Sequence, residues 1–337
     1  MIAPAHTDIP AQSSLEFPAL NPVVLAAQPS GVEKPGYYGI PSLKAPKWKW
    51  EIALYFFFEG ISAGSFVLGT MAHLFARGRY PALVRNSRYL ALATLAPCPP
   101  LLIADLGRPE RFLHMLRVVK RTSPMNTGAW ALTFYGQFAA ALAIVGRASA
   151  RSGLQSRSAL ILSITGLPFA LTMIAYPGVL LSTTSNPVWA HTRFLGALIR
   201  ASSMSAAAAA LSLVAPSEPL ARIEDAASAC EAVAAGAYLA TAGRAAQPLT
   251  SGAQAPLFWG ALAVGIVAPA ILRRRRTRTS GILASALSLG GALMLKWVIV
   301  YAGRTSAKDP EAVRFVTQPS ESAPGWTPAA IEGISHG

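Results

Sequence analysis

The sequence predicts an all-α membrane protein with about eight transmembrane helices in one bundle. Eight apolar stretches between Ile52 and Tyr301 are each close to the length that crosses a bilayer, since about 20 helical residues span the hydrocarbon core. Of the 337 residues, 53% are apolar and 13% are charged, a balance that excludes an ordinary soluble domain and a disordered chain. Charges inside the apolar stretches are costly in lipid, so they mark candidate functional residues.

The chain order predicts two tails and one transmembrane domain. Residues 1–45 contain repeated prolines, which predict an extramembrane tail. They lack the basic start and apolar core of a cleavable signal, so we expect the first span itself to direct insertion. Residues 46–304 form the transmembrane domain, with an interfacial anchor at 47–50, and residues 305–337 form a second tail. The predicted spans are 52–75, 89–104, 128–147, 159–182, 193–214, 226–242, 255–272 and 281–301.

Loop charge predicts the orientation of the bundle. Arginines are more frequent in the loops after the first, third, fifth and seventh spans than in the alternate loops, which places the first set in the cytoplasm. Both termini and residues 105–112 then face outside, in a multi-pass protein of the bacterial inner membrane. These dispersed basic residues also account for the net charge of +14. Because they form no single patch, we expect a lipid environment and no nucleic-acid partner.

The first span carries the charge that is hardest to explain as packing. Tyr55 and Glu59 are four residues apart and share one helix face, while Gly60 and Gly64 would let another helix approach closely. A carboxylate two turns into a span must pair, reach water or stay protonated. Glu59 is therefore interpreted either as a proton acceptor at a ligand site or as one half of a buried ion pair, with Lys296 or Arg200 as the other half.

A polar block follows the second span. In the segment DLGRPERF at 105–112, proline suits a first helical position, and the apolar spacing beyond it predicts a helix along the membrane surface over 109–119. Asp105, Arg108 and Arg111 can form a structural ion network. Alternatively, Asp105 handles a proton at the mouth of a site just inside the bilayer, and the two arginines organise that mouth. In the fourth span, Tyr176 precedes the helix-kinking Pro177 and either contacts a ligand or packs.

Histidine and cysteine usage limits the redox centres of this chain. No two of the five histidines lie at matching depth within the predicted spans, so we predict no haem. The two cysteines, Cys98 and Cys230, lie apart in apolar segments without metal-binding spacing, so we predict no metal site and no iron–sulfur cluster.

These segments resemble the NrfD/PsrC family, the membrane anchors of polysulfide reductase and related complexes. The resemblance covers about residues 37–305. It rests mainly on the polar block at 105–112 and its continuation to residue 125. Supporting segments are YYGIP at 37–41, the stretch 50–64, YPGVLL at 176–181 with PVW at 187–189, and GALMLKW at 291–297. The YYGIP opening with the WKW before the first span resembles anchors linked to formate-dehydrogenase-like molybdoenzymes.

The resemblance implies an eight-helix subunit that binds a quinone, menaquinone or ubiquinone, near the outer face. It also implies a ferredoxin-like partner with four iron–sulfur clusters and a molybdopterin catalytic subunit. By position, Tyr55 falls where some members carry histidine, and Tyr176 falls near a tyrosine that contacts quinone. Glu59 and Lys296 stand where glycine and arginine are expected.

The sequence therefore predicts the quinone-binding membrane subunit of an oxidoreductase complex. We expect Tyr55, Glu59, Asp105 and Tyr176 to form the pocket, with Glu59 and Asp105 in proton transfer, and residues 122–127 to help seat the iron–sulfur partner. Two rival interpretations stay open. One is a secondary transporter, since intramembrane charges and proline-broken spans also suit ion coupling; the other is a passive anchor that only tethers its partners.

Overall fold

A computed structural model describes residues 43–76, 78–108, 110–120, 122–152, 157–310 and 312–313. Every regular element in that part of the chain is helical, which confirms the all-α class. Nearly all of the two predicted tails lies outside the described residues, so the predicted tail boundaries stay predictions. The helices are α1 (Trp50–Phe75), α2 (Pro81–Leu95), α3 (Cys98–Leu106), α4 (Glu110–Arg117), α5 (Pro124–Ser152), α6 (Arg157–Ser182), α7 (Pro187–Ala190), α8 (Phe194–Val214), α9 (Glu218–Ala242), α10 (Gln247–Thr250), α11 (Ala255–Leu262), α12 (Ala268–Arg273) and α13 (Arg278–Ser306).

Seven helical segments of the described chain are long and apolar enough to cross a membrane, and they account for seven of the eight predicted spans. The remaining one, predicted at 226–242, lies in α9, which is 25 residues long. The mean hydropathy of α9 is lower than that of the seven membrane-capable helices, because α9 is alanine-rich and carries charges such as Glu224 and Glu231. α9 nevertheless packs along α8 more extensively than any other two helices pack in the described bundle. The number of membrane crossings and the sides of the two termini remain predictions.

The second predicted span is two stacked helices. α2 begins at Pro81, eight residues before the predicted start, because proline at a first helical position needs no hydrogen-bond donor. α3 begins at Cys98, where the next two residues are prolines in its first turn. It ends at Gly107, whose left-handed backbone (φ 68°) stops the helix. The break between α2 and α3 therefore places residues 105 and 106 at the end of a short helix, within the second predicted span region Pro81–Leu106.

Helix α1 is the central helix of the bundle. Of its most apolar 18-residue window, 83% is buried, the highest share among the seven segments. Gly60 and Gly64 make this possible, since a β-carbon at either position would lie 2.5 Å from a side-chain atom of α8, in Ser203 or Ala207 respectively. The predicted role of the two glycines in close helix packing therefore holds, and α8 is the partner.

A π-helical turn at Ala263–Val267 joins α11 to α12. Pro269 follows it and lacks the N–H that would bond the carbonyl of Gly265 in an ordinary α-helix. Gly265 also lies against Gly291 of α13, where a β-carbon would be 3.0 Å from the Gly291 Cα. The π-helical turn therefore lies where its backbone packs closely against α13.

The predicted interfacial anchor at 47–50 stays a prediction, and its two tryptophans have different surroundings in the fold. Trp50 is 45% exposed, as an interfacial residue should be, but Trp48 stacks on Trp189 with ring centroids 5.4 Å apart. Trp189 is buried and its indole N–H donates to the Ile299 carbonyl at 2.9 Å. The partly buried Trp48 ring therefore packs on α7, and Trp189 in turn is bonded to α13.

Candidate functional site

A cleft lies between the start of α1, the end of α3, helix α4, the start of α5 and the end of α6. The space between its walls is about 500 Å³ when the part that opens to solvent is included. Apolar side chains dominate its walls, and three polar groups converge in it. The lining residues are Trp48, Ile52, Tyr55, Phe56, Leu102, Asp105, Leu106, Phe112, Met115, Met125, Gly128, Ala129, Tyr176 and Leu180.

The two tyrosines predicted from the sequence both face this cleft. Tyr55 of α1 is 2% exposed and Tyr176 of α6 is partly buried. Their helices pack directly against each other, which brings residues 121 positions apart in the chain into one wall. A tyrosine hydroxyl donates or accepts a hydrogen bond, so the wall presents two adaptable polar groups on an otherwise apolar surface.

Asp105 lies at the mouth of the same cleft. It is the second-last residue of α3, close to the helix end at Gly107, and it is half-buried. Its carboxyl group interacts electrostatically with Glu51 and Lys49 at the start of α1. The cleft therefore has a titratable group where it meets the surface.

The ion network that was one of two interpretations of Asp105, Arg108 and Arg111 is not formed in the described structure. Arg108 and Arg111 are exposed, line no part of the cleft and form no ion pair with Asp105 in the described structure. Gly107 ends α3 in a left-handed conformation, and both arginines come after that turn in the chain. Their predicted role at the mouth of the site stays a prediction for the assembled complex.

Glu59 lies one helical turn deeper than Tyr55 and is fully buried. It does not line the cleft, and neither carboxyl oxygen has a hydrogen-bond partner among the described residues. Buried polar groups are normally hydrogen-bonded, so this carboxyl group stands out. It interacts electrostatically with Tyr55, Tyr176 and Lys296. Of the two basic partners considered for it, Lys296 is buried and near, while Arg200 is exposed.

A second polar contact lies beside Glu59. The Ser62 hydroxyl donates to the Ala91 carbonyl at 2.7 Å and contacts the buried Tyr135 hydroxyl at 2.8 Å. Tyr135 also interacts electrostatically with Glu59. These contacts join α1, α2 and α5 next to Glu59.

Asn126 lies in the predicted partner-binding segment 122–127, but the sequence did not reveal its part in shaping the cleft wall. Its buried amide donates to the carbonyls of Met115 at 2.6 Å and Val118 at 2.8 Å. Its side-chain oxygen accepts from the Lys120 backbone N–H at 2.7 Å. Asn126 thereby fixes the end of α4 to the start of α5 and positions Met115 and its neighbour Met125 in the cleft wall. An asparagine just inside a helix start was the available signal.

Gly128 and Trp48 were missed as well. A β-carbon on Gly128 would overlap the phenol group of Tyr176, so glycine here lets α5 approach the tyrosine. Trp48, which was interpreted from the sequence as part of a membrane anchor, lines the cleft. No group of three or more histidine, cysteine, aspartate or glutamate side chains that could hold a metal ion occurs in the described part of the chain. The absence of haem and iron–sulfur clusters stays a prediction.

Comparison with known proteins agrees with this architecture. The sequence profile of a family described as polysulfide reductase, of the NrfD type, matches residues 34–308. One of the subunits of the selenate reductase of Mesobacillus selenatarsenatis is 35% identical over 88 residues. That match covers 26% of this chain and 20% of the relative, so the chain matches only about one fifth of that protein's length. Because the family profile covers most of the sequence and the helices form a multi-pass bundle, this chain belongs to the NrfD-type polysulfide reductase family of membrane proteins.

Proposed function

We propose that this chain is the quinone-binding membrane subunit of a multi-subunit oxidoreductase. The observation that carries the proposal is the convergence of Tyr55, Tyr176 and Asp105 on one apolar cleft. Membership of the polysulfide reductase family and the partial likeness to a selenate reductase subunit support it. In the complete complex, electrons would pass between a four-cluster ferredoxin-like subunit and the quinone pool, with a molybdopterin subunit as the catalytic partner.

The residues of the cleft fit a quinone. A quinone head group is flat and apolar with two carbonyl oxygens, and it needs aromatic or aliphatic walls and a few hydrogen-bond donors. Ile52, Phe56 and Leu180 supply such walls, and the hydroxyls of Tyr55 and Tyr176 supply donors. When bound, menaquinone or ubiquinone supplies two-electron, two-proton redox chemistry.

The side chains of this protein would contribute binding and proton transfer. Tyr55 and Tyr176 would orient the head group by hydrogen bonds. Asp105, at the mouth, would exchange a proton with the surface, and Glu59 would hold one on the inner side of Tyr55. Asp105 lines the cleft and Glu59 is buried one helical turn from Tyr55, so the two carboxyl groups would serve two separate proton transfers.

The surface near the cleft mouth would receive the iron–sulfur partner. α4 is short and has no buried residue, and residues 122–127 include the first turn of α5. Asn126 fixes that connection by three hydrogen bonds. A rigid segment beside the cleft would hold a redox partner at a fixed distance from a bound quinone. Arg108 and Arg111 are exposed on the same side and would meet acidic groups of that partner.

A photoreactive quinone tests the proposal in the purified complex. The parent should be labelled within the cleft, and Leu106→Trp, which fills the cleft, should lose most of that labelling. Ile144→Trp is the matched control, since Ile144 is 69% exposed on α5 and lines no part of the cleft. Equal labelling of Leu106→Trp and the parent would remove the cleft from consideration. Solute flux through liposomes that contain the chain alone would favour the transporter alternative.

A further inference from the structure

A dense group of arginines joins the last two membrane-capable segments of the described chain, Ala255–Arg273 and Arg278–Ser306. Five arginines occur within six residues there, at positions 273–276 and 278. We propose that this loop binds an anionic phospholipid whose head group carries two phosphates, with its acyl chains along α12 and α13. The proposal is independent of the quinone cleft, which is lined by no described residue of α12 or α13.

The loop lies at the depth of lipid head groups. Each segment beside it is long and apolar enough to cross a membrane, so the few residues that join them belong at a membrane surface. Only 22% of the most apolar window of Ala255–Arg273 is buried, so this segment is at the edge of the bundle and faces lipid over most of its surface. The arginines therefore meet lipid phosphates directly.

The first arginine of the group has a structural role. Arg273 forms ion pairs with Glu224 and Asp225 of α9, and its side chain is only 12% exposed. These pairs fix the start of the loop to α9 and occupy both carboxylates. The four arginines that follow, at positions 274, 275, 276 and 278, are exposed and form no ion pair with any residue that the structure describes.

Charge complementarity favours a head group with two phosphates. The five guanidinium groups and the carboxylates of Glu224 and Asp225 together leave three positive charges at this loop. Like charges that lie close together repel, so an anion that they share lowers the free energy. Guanidinium groups bind phosphate oxygens in pairs of hydrogen bonds. Two phosphates in one head group would give each phosphate two of the four exposed arginines.

The backbone of Arg276 is a second, independent observation. Its φ is 49°, in the left-handed region, and among the described residues it is the only one other than glycine with a positive φ. Glycine adopts this conformation at a lower free energy than a residue with a β-carbon does. The loop therefore keeps an arginine where the turn alone favours glycine, which indicates that the side chain serves something other than the turn.

Exposed apolar side chains continue from the arginines toward the middle of each segment. Ile271 before the loop is 55% exposed, and Ile282 and Leu283 after it are 49% and 50% exposed. Arg278 and Ile282 are four residues apart, so they share one face of α13. A ligand that contacts both needs an anionic end and an apolar body. A phospholipid has both parts, whereas a soluble phosphate compound or a nucleic acid would use only the charges.

Membrane orientation alone does not explain the arrangement. Positive charge in a loop orients a membrane protein without any particular geometry, and other loop arginines have neighbours in the fold. Arg79 lies over the Tyr80 ring, 5.7 Å from its centroid, and Arg88 contacts His73 at 3.3 Å. The four exposed arginines of the α12–α13 loop form no such ring contact or ion pair with the described residues.

Lipid binding to the full chain, purified in an uncharged detergent, tests the site. The probe is a fluorescent diphosphatidylglycerol, which the parent should bind saturably. Each arginine beside anionic lipid contributes a factor of about five, so Arg274→Gln with Arg275→Gln should raise the Kd at least about tenfold. The matched control is Arg147→Gln with Arg157→Gln, which removes two exposed charges at the ends of α5 and α6 and should leave the Kd unchanged.

The variant Arg276→Gly separates lipid binding from folding. Glycine suits the left-handed backbone there, so resistance to denaturing detergent should not fall, while the Kd should rise about fivefold. A parent Kd in both loop variants would overturn the site, and so would an equal rise in the Arg147 and Arg157 control. Complete displacement of the probe by inorganic pyrophosphate or by polyglutamate at equal charge would show a general anion site and overturn the lipid assignment. Equal affinity for phosphatidylglycerol would overturn the assignment of two phosphates.

Discussion

Gly128 of α5 lies against the phenol ring of Tyr176 of α6, so closely that a β-carbon at position 128 would overlap the ring and its hydroxyl. This contact determines where the hydroxyl of Tyr176 lies in the cleft. A glycine in the first turns of an apolar helix carries no obvious functional mark in sequence. In the fold, Gly128 is the surface against which the candidate ligand-binding side chain of Tyr176 packs.

The change Gly128→Ala is therefore expected to displace Tyr176 without removing any polar group. A displacement of about 1 Å in a reacting assembly can lower turnover about 100-fold, so we expect at least a tenfold loss of quinol turnover with assembly intact. The measurement is quinol turnover beside artificial-dye activity, which bypasses the cleft. Gly136→Ala is the control on the same helix, because its β-carbon would meet only Leu95, at an ordinary 3.6 Å. Equal losses in both variants would point to general damage to α5.

The hydroxyl groups of Tyr55 and Tyr176 can be tested one at a time. Tyr55→Phe and Tyr176→Phe keep the rings that fill the wall and remove one hydrogen-bonding group each. A net hydrogen bond contributes about 0.5–1.5 kcal/mol, so each change should raise the quinone KM about threefold to tenfold. Tyr301→Phe is the control, since Tyr301 stacks on Trp297 away from the cleft. An unchanged KM in both cleft variants would exclude the hydroxyls as ligands.

The helices and the candidate site differ in how far the sequence could predict them. Spans are set by the length of apolar stretches, so seven predicted spans correspond to membrane-capable helices. Tyr55, Asp105 and Tyr176 were recognisable because polar groups in apolar surroundings are conspicuous. Their meeting in one cleft depends on how α1, α3 and α6 pack, and this packing is not readable from any one segment.

The contacts that the sequence did not reveal have specific physical causes. Trp48 was assigned to the interface because a tryptophan beside lysines before a span matches the usual membrane belt; its stacking on Trp189 depends on a residue 141 positions away. Arg108 and Arg111 were paired with Asp105 because they are neighbours in sequence. The left-handed turn at Gly107 separates them from it, and a single glycine in a polar block did not reveal that turn.

The two carboxyl groups that flank the cleft should affect quinone chemistry specifically. Glu59→Gln and Asp105→Asn keep the shape of each side chain and remove its ability to carry a proton. Since positioned acid–base groups contribute about 10²–10⁴-fold to rate, each change should slow quinol turnover by at least about 100-fold and leave assembly and artificial-dye activity intact. Glu110→Gln is the control, because Glu110 is exposed and outside the cleft. Unchanged quinol kinetics in both variants would remove Glu59 and Asp105 from the mechanism.

The contact of α1 with α8 makes a prediction about stability. Gly64→Val would place a branched side chain where even a β-carbon lies 2.5 Å from the Ala207 Cβ. Overpacking a tight core costs about 1–3 kcal/mol, so the variant should unfold at a lower concentration of denaturing detergent. Gly236→Val on α9 is the control, since a β-carbon there meets no atom within 4 Å. If both variants unfold at the same detergent concentration as the parent, the close approach of α1 and α8 is not required for stability.

The ion pair of Arg273 with Glu224 should stabilise the protein far more than the pair of Arg222 with Glu218 does. Glu224 is 1% exposed and would be left as an uncompensated buried charge by Arg273→Ala, a change that typically costs about 3–5 kcal/mol. Arg222 and Glu218 are 78% and 77% exposed in their side chains, so Arg222→Ala should change stability by about 0–1 kcal/mol. Unfolding of each variant in denaturing detergent measures the two changes in stability.

The double variant Arg273→Ala with Glu224→Gln identifies the cause of that loss. If the cost of Arg273→Ala comes from the stranded charge of Glu224, neutralising the carboxylate should restore a large part of the stability, because Ser212 and Ser285 can still donate to the amide oxygen. If the cost comes instead from lost packing of the arginine stem, the second change should restore nothing. A double variant as unstable as Arg273→Ala alone would therefore contradict the view that α9 is held to α12 by charge.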